Sequence, residues 1–128
     1  MDPRQLVEAA LSALVAGDID GHLGTVSDEV VVQLNENPLL RGKASYRQTI
    51  EALRDNGEVM TGFAVVGVTP TPDGATLVQV AERHQVSAPM PPRHTLAAFP
   101  ASYTVEEDLI SQINLTAFIA PNRRFRYP

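Results

Sequence analysis

The stretch from Ala16 to Gly42 constrains this chain more than any other. It opens with Ala16-Gly17-Asp18-Ile19-Asp20-Gly21. Gly17 can adopt the left-handed conformation that stops a helix, and Asp18 can cap the next one. Ser27-Asp28-Glu29 then turns the chain into the β-branched run Val30-Val31-Val32, a strand pattern from Val30 to Leu34. Asn35-Glu36-Asn37-Pro38 reads as a polar loop, and Arg41-Gly42 leads into a further helix. Whatever precedes this stretch must be a helix that ends abruptly, and whatever follows must pack on an early strand.

Both flanks read clearly. Upstream, Asp2-Pro3-Arg4-Gln5 has an N-cap, a proline at the first helical position and a capping-box partner. Leu6, Ala9, Ala10, Ala13 and Leu14 follow at helical spacing. In the short second helix Ile19, Leu23 and Val26 form the apolar stripe. His22 reads as lying between them on the polar side, a solvated surface histidine. A third helix is expected over 43–55, burying Tyr46, Ile50 and Leu53 and carrying Arg47–Glu51 as an i,i+4 pair, with Asn56-Gly57 as its stop. Downstream the chain is all strand: 59–69, a Thr71-Pro72-Asp73-Gly74 turn, 75–87, a stiff Pro89-Met90-Pro91-Pro92 connector, 93–105, a charged turn at 106–108, and 109–119. Pro100 cannot donate to a ladder, so a bulge or an edge is expected there.

Helices first and long antiparallel strands after is an α+β pattern. Residues 1–119 read as one domain and 120–128 as a basic tail. The tail, Asn122-Arg123-Arg124-Phe125-Arg126-Tyr127-Pro128, reads as folding back on the sheet, the pocket mouth or a partner. The whole chain is acidic, with Lys+Arg 10 against Asp+Glu 15, which argues against nucleic acid or an anionic membrane as a partner. There is no cysteine, so disulfides, thiolate metal sites and a Cys nucleophile are excluded. No signal peptide or membrane-spanning run is visible, and a cytoplasmic protein is the expectation. His22, His84 and His94 lack metal-ligand spacing, and neither a phosphate-binding glycine loop nor a G-x-S-x-G elbow occurs, so no metal or cofactor is expected.

Strand periodicity sorts the faces. Val78, Val80, Glu82, His84 and Val86 share the more apolar face of their strand. That sets a carboxylate and an imidazole side by side on an inward face, an acid/base pair by position. The alternative is a wet strand end, where Glu-Arg-His-Gln simply alternates with solvent. On the next strand Thr95, Ala97, Phe99, Ala101, Tyr103 and Val105 share a face. On the last, Ile113, Leu115, Ala117 and Ile119 face in, while Gln112, Asn114, Thr116 and Phe118 face solvent or a second subunit.

The pieces "A-G-D-x-D", "D-E-V" before a strand, and a glycine before the next helix resemble the nuclear transport factor 2-like superfamily, which includes ketosteroid isomerases and SnoaL-like polyketide cyclases. The resemblance covers about residues 5–119. It implies a curved, mostly antiparallel sheet wrapped over three N-terminal helices, a cystatin-like cone whose mouth takes a small hydrophobic molecule. It also implies a homodimer through the outer sheet face, and it turns the 93–105 strand so that Tyr103 faces inward and offers its hydroxyl to a ligand. The alternative for Tyr103 is a core tyrosine bonded to a backbone carbonyl. On this reading Val32, Leu34, Phe63, Val80, Phe99, Ala101, Ile113 and Leu115 line the cavity, and Glu82, His84 and Tyr103 carry any acid/base chemistry, such as isomerisation, cyclisation or dehydration. The isomerase mechanism itself is not expected. Leu34 stands where those enzymes keep their carboxylate base, Ala10 where they keep a tyrosine, and Ala101 near their protonated aspartate. Leu34 likewise removes one carboxylate of the limonene epoxide hydrolase arrangement. A non-catalytic dimerising or protein-binding module of the same fold is the alternative.

Overall fold

The computed structural model describes residues 1–89 and 92–116. Met90 and Pro91 of the proline connector, the strand end expected at 117–119 and the basic tail lie outside the described residues.

Three helices, α1 (Pro3–Val15), α2 (Ile19–Leu23) and α3 (Lys43–Asp55), pack on one six-stranded sheet. Its strands are β1 (Val26–Leu34), β2 (Asn37–Arg41), β3 (Val59–Pro70), β4 (Thr76–Pro89), β5 (Pro92–Glu106) and β6 (Leu109–Leu115), in the order β2-β1-β6-β5-β4-β3. Every neighbouring pair is antiparallel except β1 and β6, so the sheet is mixed, and β2 and β3 leave it open at both edges. α1 packs against β3 and β4, and α3 against β1 and β2. The cone-like α+β architecture expected from the sequence is the one observed.

Local chemistry explains the helix boundaries. The Asp2 carboxylate accepts from the Gln5 amide at 2.8 Å while the Gln5 side chain accepts from the Asp2 amide at 3.1 Å, a complete capping box. Asp2→Ala is expected to cost about 1 kcal/mol in urea denaturation, the usual worth of an N-cap. Gly17, at φ +80°, ends α1, and Asp18 caps α2 by accepting from the Gly21 amide at 2.9 Å. The buried face of α1 is Leu6, Val7, Ala10 and Leu11 rather than the expected alanine stripe; Ala9 and Ala13 are only half-buried. In α3 Tyr46 is buried, and Arg47 bridges Glu51 at 3.6 Å and Asp20 of α2 at 2.5 Å.

Three sequence expectations are corrected. The first is the loop over 35–38. Asn35 and Glu36, at φ 51° and 68°, form a tight two-residue turn, and Asn37–Arg41 returns as edge strand β2. That turn type favours Asn at its first position but Gly at its second, so Glu36 hid it. Pro38 is tolerated because β2 is an edge. The second is Pro100. β4 and β5 pair without any register shift, and β5 is a central strand. The Pro100 carbonyl accepts from the Thr116 amide at 2.9 Å, so its nitrogen points to the same neighbour, just past the last β5–β6 pair, Ala101 with Leu115. The missing donor falls where the β6 ladder ends among the described residues. The bulges lie elsewhere. Leu39 is an extra residue on β2, Thr61 and Val66 are extra on β3, and Ser111 is extra on β6, which brings Ile110 and Ile113 to one side despite their odd spacing. The third is His22, described below.

The outward residues of β6 also have uses within the chain. Gln112 donates to the Gln33 side chain at 3.2 Å, and the Asn114 side-chain oxygen accepts from the Glu36 amide at 2.9 Å, fastening the β1–β2 turn. No helix among the described residues is long and apolar enough to cross a membrane.

Candidate functional site

A mixed sheet that curls over helices without closing leaves space between its concave face and α3. That space is a cavity of about 400 Å³, within the range of sites that take small molecules. Its walls are apolar. Val32 and Leu34 of β1, Leu39 and Leu40 of β2, Phe99 of β5, and Ile113 and Leu115 of β6 line it, with Ile50 and Leu53 of α3 opposite. Thr49, Arg54 and Glu58 are the polar residues on the α3 side. Of the residues expected as lining, Phe63, Val80 and Ala101 are not among those that border it. Val80 and Ala101 pair across β4 and β5 in the core, and their short side chains do not reach the cavity. Phe63, opposite Glu82 in the ladder, packs against the core on β3, the strand that α1 covers.

One end of the cavity is polar. β4 carries Glu82 and His84 on its inward face, as the strand period requires, and the wet-strand-end alternative does not hold: Glu82 is only 1% exposed. Its Oε1 accepts from His84 Nε2 at 2.9 Å, and its Oε2 accepts from the Tyr103 hydroxyl of β5. Tyr103 therefore bonds a carboxylate and not a backbone carbonyl. The His84 ring meets the edge of Phe99 at 5.3 Å between centroids. All three residues expected to carry chemistry thus meet at one point.

The structure adds a pair that sequence reasoning missed. His22 of α2 is fully buried, not solvated. Its Nδ1 lies 2.8 Å from the Ala10 carbonyl and its Nε2 2.7 Å from the Tyr46 hydroxyl. A carbonyl only accepts, so Nδ1 holds the hydrogen, and Nε2 accepts from Tyr46. The ring joins α1, α2 and α3 in one bond path. The signal was present: Ile19, His22, Leu23 and Val26 stand at i, i+3, i+4 and i+7, which places His22 on the apolar stripe rather than beside it.

Electrostatics ties the two groups together. Burial pushes the Tyr103 phenol well above its ordinary pKa, and the negative charge on Glu82, the nearby Tyr46 and the hydrogen bond to Glu82 add to it. Burial, then the Glu82 charge, raises Tyr46 as well. Burial lowers His22, against the opposing pull of its bond to Ala10 and of Glu82. Both phenols and the imidazole of His22 therefore stay neutral around a carboxylate. Among the described residues no group of three or more His, Asp or Glu side chains is arranged to hold a metal.

The three positions compared with the isomerases in the sequence hold apolar side chains in the structure as well. Leu34 lines the cavity, Ala10 is core and contributes only its carbonyl, and Ala101 is core. The buried carboxylate of this cavity, Glu82, comes from β4, three strands along the sheet from β1.

No protein-family model and no curated protein sequence matches the chain. Solved structures do. A proposed polyketide cyclase from Xanthomonas campestris is similar at 17% identity and TM-score 0.71, over 92% of this chain and 91% of that one. A ketosteroid isomerase-like protein from Erwinia carotovora is similar at 16% identity and TM-score 0.74, over 88% and 91%. TerC, crystallised with polyporic acid, is similar at 13% identity and TM-score 0.67, over 94% and 95%. The fold of this chain is accordingly that of the nuclear transport factor 2-like superfamily, shared with SnoaL-like and ketosteroid isomerase-like proteins.

Proposed function

We propose that this protein binds a small hydrophobic molecule in the cavity and moves a proton on it, with Glu82 as the base, His84 as the group that shares and returns the proton, and Tyr103 holding the carboxylate in place. The observation that carries this reading is an open apolar cavity that ends on a buried carboxylate with two hydrogen-bond partners. A carboxylate that is desolvated yet reachable from a ligand space is suited to general acid/base work. A fold that needed only to be filled would not keep a buried charge, which costs stability unless something uses it. Proton transfer of this kind underlies isomerisation, cyclisation and dehydration. The similarity to TerC, seen with polyporic acid, and to a proposed polyketide cyclase supports a cyclic, apolar ligand. A homodimer through the outer sheet face and a cytoplasmic location belong to the same proposal.

A second reading, a binding or assembly module without chemistry, is favoured by Leu34, Ala10 and Ala101 at the isomerase positions. One experiment separates the two. Native mass spectrometry of the purified protein, before and after denaturation, is expected to release an apolar small molecule and to give the subunit count. That molecule, returned to the protein in D2O, is expected to gain carbon-bound deuterium with the wild type and not with Glu82→Gln. Binding without exchange would leave the non-catalytic module as the function.

A further inference from the structure

We infer that the ligand presents a hydrogen-bond donor, a phenol or enol hydroxyl, to the polar end of the cavity, rather than a ketone oxygen. This rests on the ligand-cavity reading above and narrows it to a chemical class.

Tyr46 has one hydroxyl hydrogen, and it goes to His22 Nε2. Tyr103 has one, and it goes to Glu82 Oε2. The Nε2 hydrogen of His84 goes to Glu82 Oε1, and the Nδ1 hydrogen of His22 goes to the Ala10 carbonyl. The hydroxyl of Thr49, which also borders the cavity, donates to the Ser45 carbonyl at 3.0 Å. Every side-chain donor at this end is therefore spent inside the protein. Lone pairs are left over: on the Tyr46 and Tyr103 oxygens, on the Glu82 carboxylate, and on Nδ1 of a neutral His84. The arrangement is acceptor-rich and negative. A hydroxyl hydrogen meets partners there. A ketone oxygen meets only other lone pairs and a carboxylate, and a buried acceptor without a donor is costly. Arg54 is the cavity's remaining charged donor, and it sits half-exposed beside Asp55, with its Nε 3.3 Å from the Asp55 carboxylate.

The logic is the reverse of an oxyanion hole, where donors converge on a developing enolate oxygen. Here the protein offers the ligand a place to put a hydrogen.

The test uses three bicyclic probes of similar size: 2-naphthol, 2-methoxynaphthalene and 1-tetralone. Affinities are measured by calorimetric titration with the full chain at pH 8, above the ordinary histidine range. 2-Naphthol is expected to bind about tenfold tighter than either of the others, the effect of one donor satisfied or left out in a buried site. Glu82→Gln replaces a carboxylate oxygen with an amide that donates, so it is expected to narrow or reverse the preference for 2-naphthol over 1-tetralone. Equal or tighter binding of 1-tetralone to the wild type would overturn this inference and leave the ligand cavity standing. Failure of all three probes to bind would overturn the cavity reading itself, and this one with it.

Discussion

Replacing His22 by alanine is expected to destabilise the fold by about 3–5 kcal/mol, the range for a buried side chain that is both packed and bonded at each end. The imidazole is fully buried, and the loss would be threefold. The Ala10 carbonyl would lose its donor, the Tyr46 hydroxyl would lose its acceptor, and a void would open where α1, α2 and α3 meet. Helix α2 has only five residues, with Gly21 at its centre and Gly24 at its C-cap, so it has little propensity of its own to resist that loss. Urea denaturation measures the change directly; in a thermal melt it corresponds to roughly 10 °C or more for a domain of this size. The pH profile supplies an independent check. Burial holds His22 below its ordinary pKa, so the native state keeps it neutral while the unfolded chain protonates it near the ordinary value, about 6.5. The contribution of neutral His22 is complete above that value. It declines as the pH falls below it, because the unfolded state then binds a proton that the folded state refuses, and the decline levels off once the pH passes the folded value. The variant should lack that part of the slope below about pH 6.5, the ordinary histidine value. A variant as stable as the wild type, or one with the same acid slope, would show that His22 does not hold the helices together.

Glu82→Gln is expected to leave the fold intact and lower any proton-transfer rate by about 10²- to 10⁴-fold, the usual worth of a positioned acid/base. The substitution is nearly isosteric. The Tyr103 hydroxyl can still donate to the amide oxygen, and His84 can change tautomer to accept from the amide nitrogen. Removing a buried charge also removes its desolvation cost, so stability is expected to stay level or rise by about 1 kcal/mol. A loss of exchange into the ligand together with an unchanged melting temperature would be the signature of a group kept for function. Unchanged exchange would move the base elsewhere in the cavity; a collapse in stability would make Glu82 a structural residue.

The same two side chains show how the candidate site divides between what was legible and what was not. Glu82 and His84 were legible because a strand repeats every two residues. Once Val78 and Val80 are taken as inward, Glu82 and His84 must follow, whatever lies across from them. Tyr103 was assigned to the inner face by the same alternation together with the family resemblance. Its bond to Glu82 was not legible, because β5 reaches β4 through a connector whose length does not reveal the register. His22 failed for a different reason. Its place at i+3 on the Ile19, Leu23 and Val26 stripe was visible in the sequence, but a five-residue helix buries no side chain by itself, and what buries this histidine is α1 and α3 rather than its own element.

The fold divides along the same line. Local sequence determined the helix ends, through Asp2 with Gln5, Gly17, Asp18 and Asn56-Gly57, and it determined the turns at 71–74 and 106–108. Those choices depend on backbone geometry within four or five residues, which side-chain chemistry specifies directly. It also determined the α+β order and the inward faces of β4 and β5. Pairing between distant segments set the return of Asn37–Arg41 as an edge strand, the parallel seam between β1 and β6, the continuous pairing through Pro100, and the bulges at Leu39, Thr61, Val66 and Ser111. These are agreements between segments up to about eighty residues apart, and pairing energy belongs to both strands together rather than to either alone. The cavity belongs to this second group: each wall can be read from its own strand, but the space between the walls exists only once the sheet has curled and α3 has settled across it.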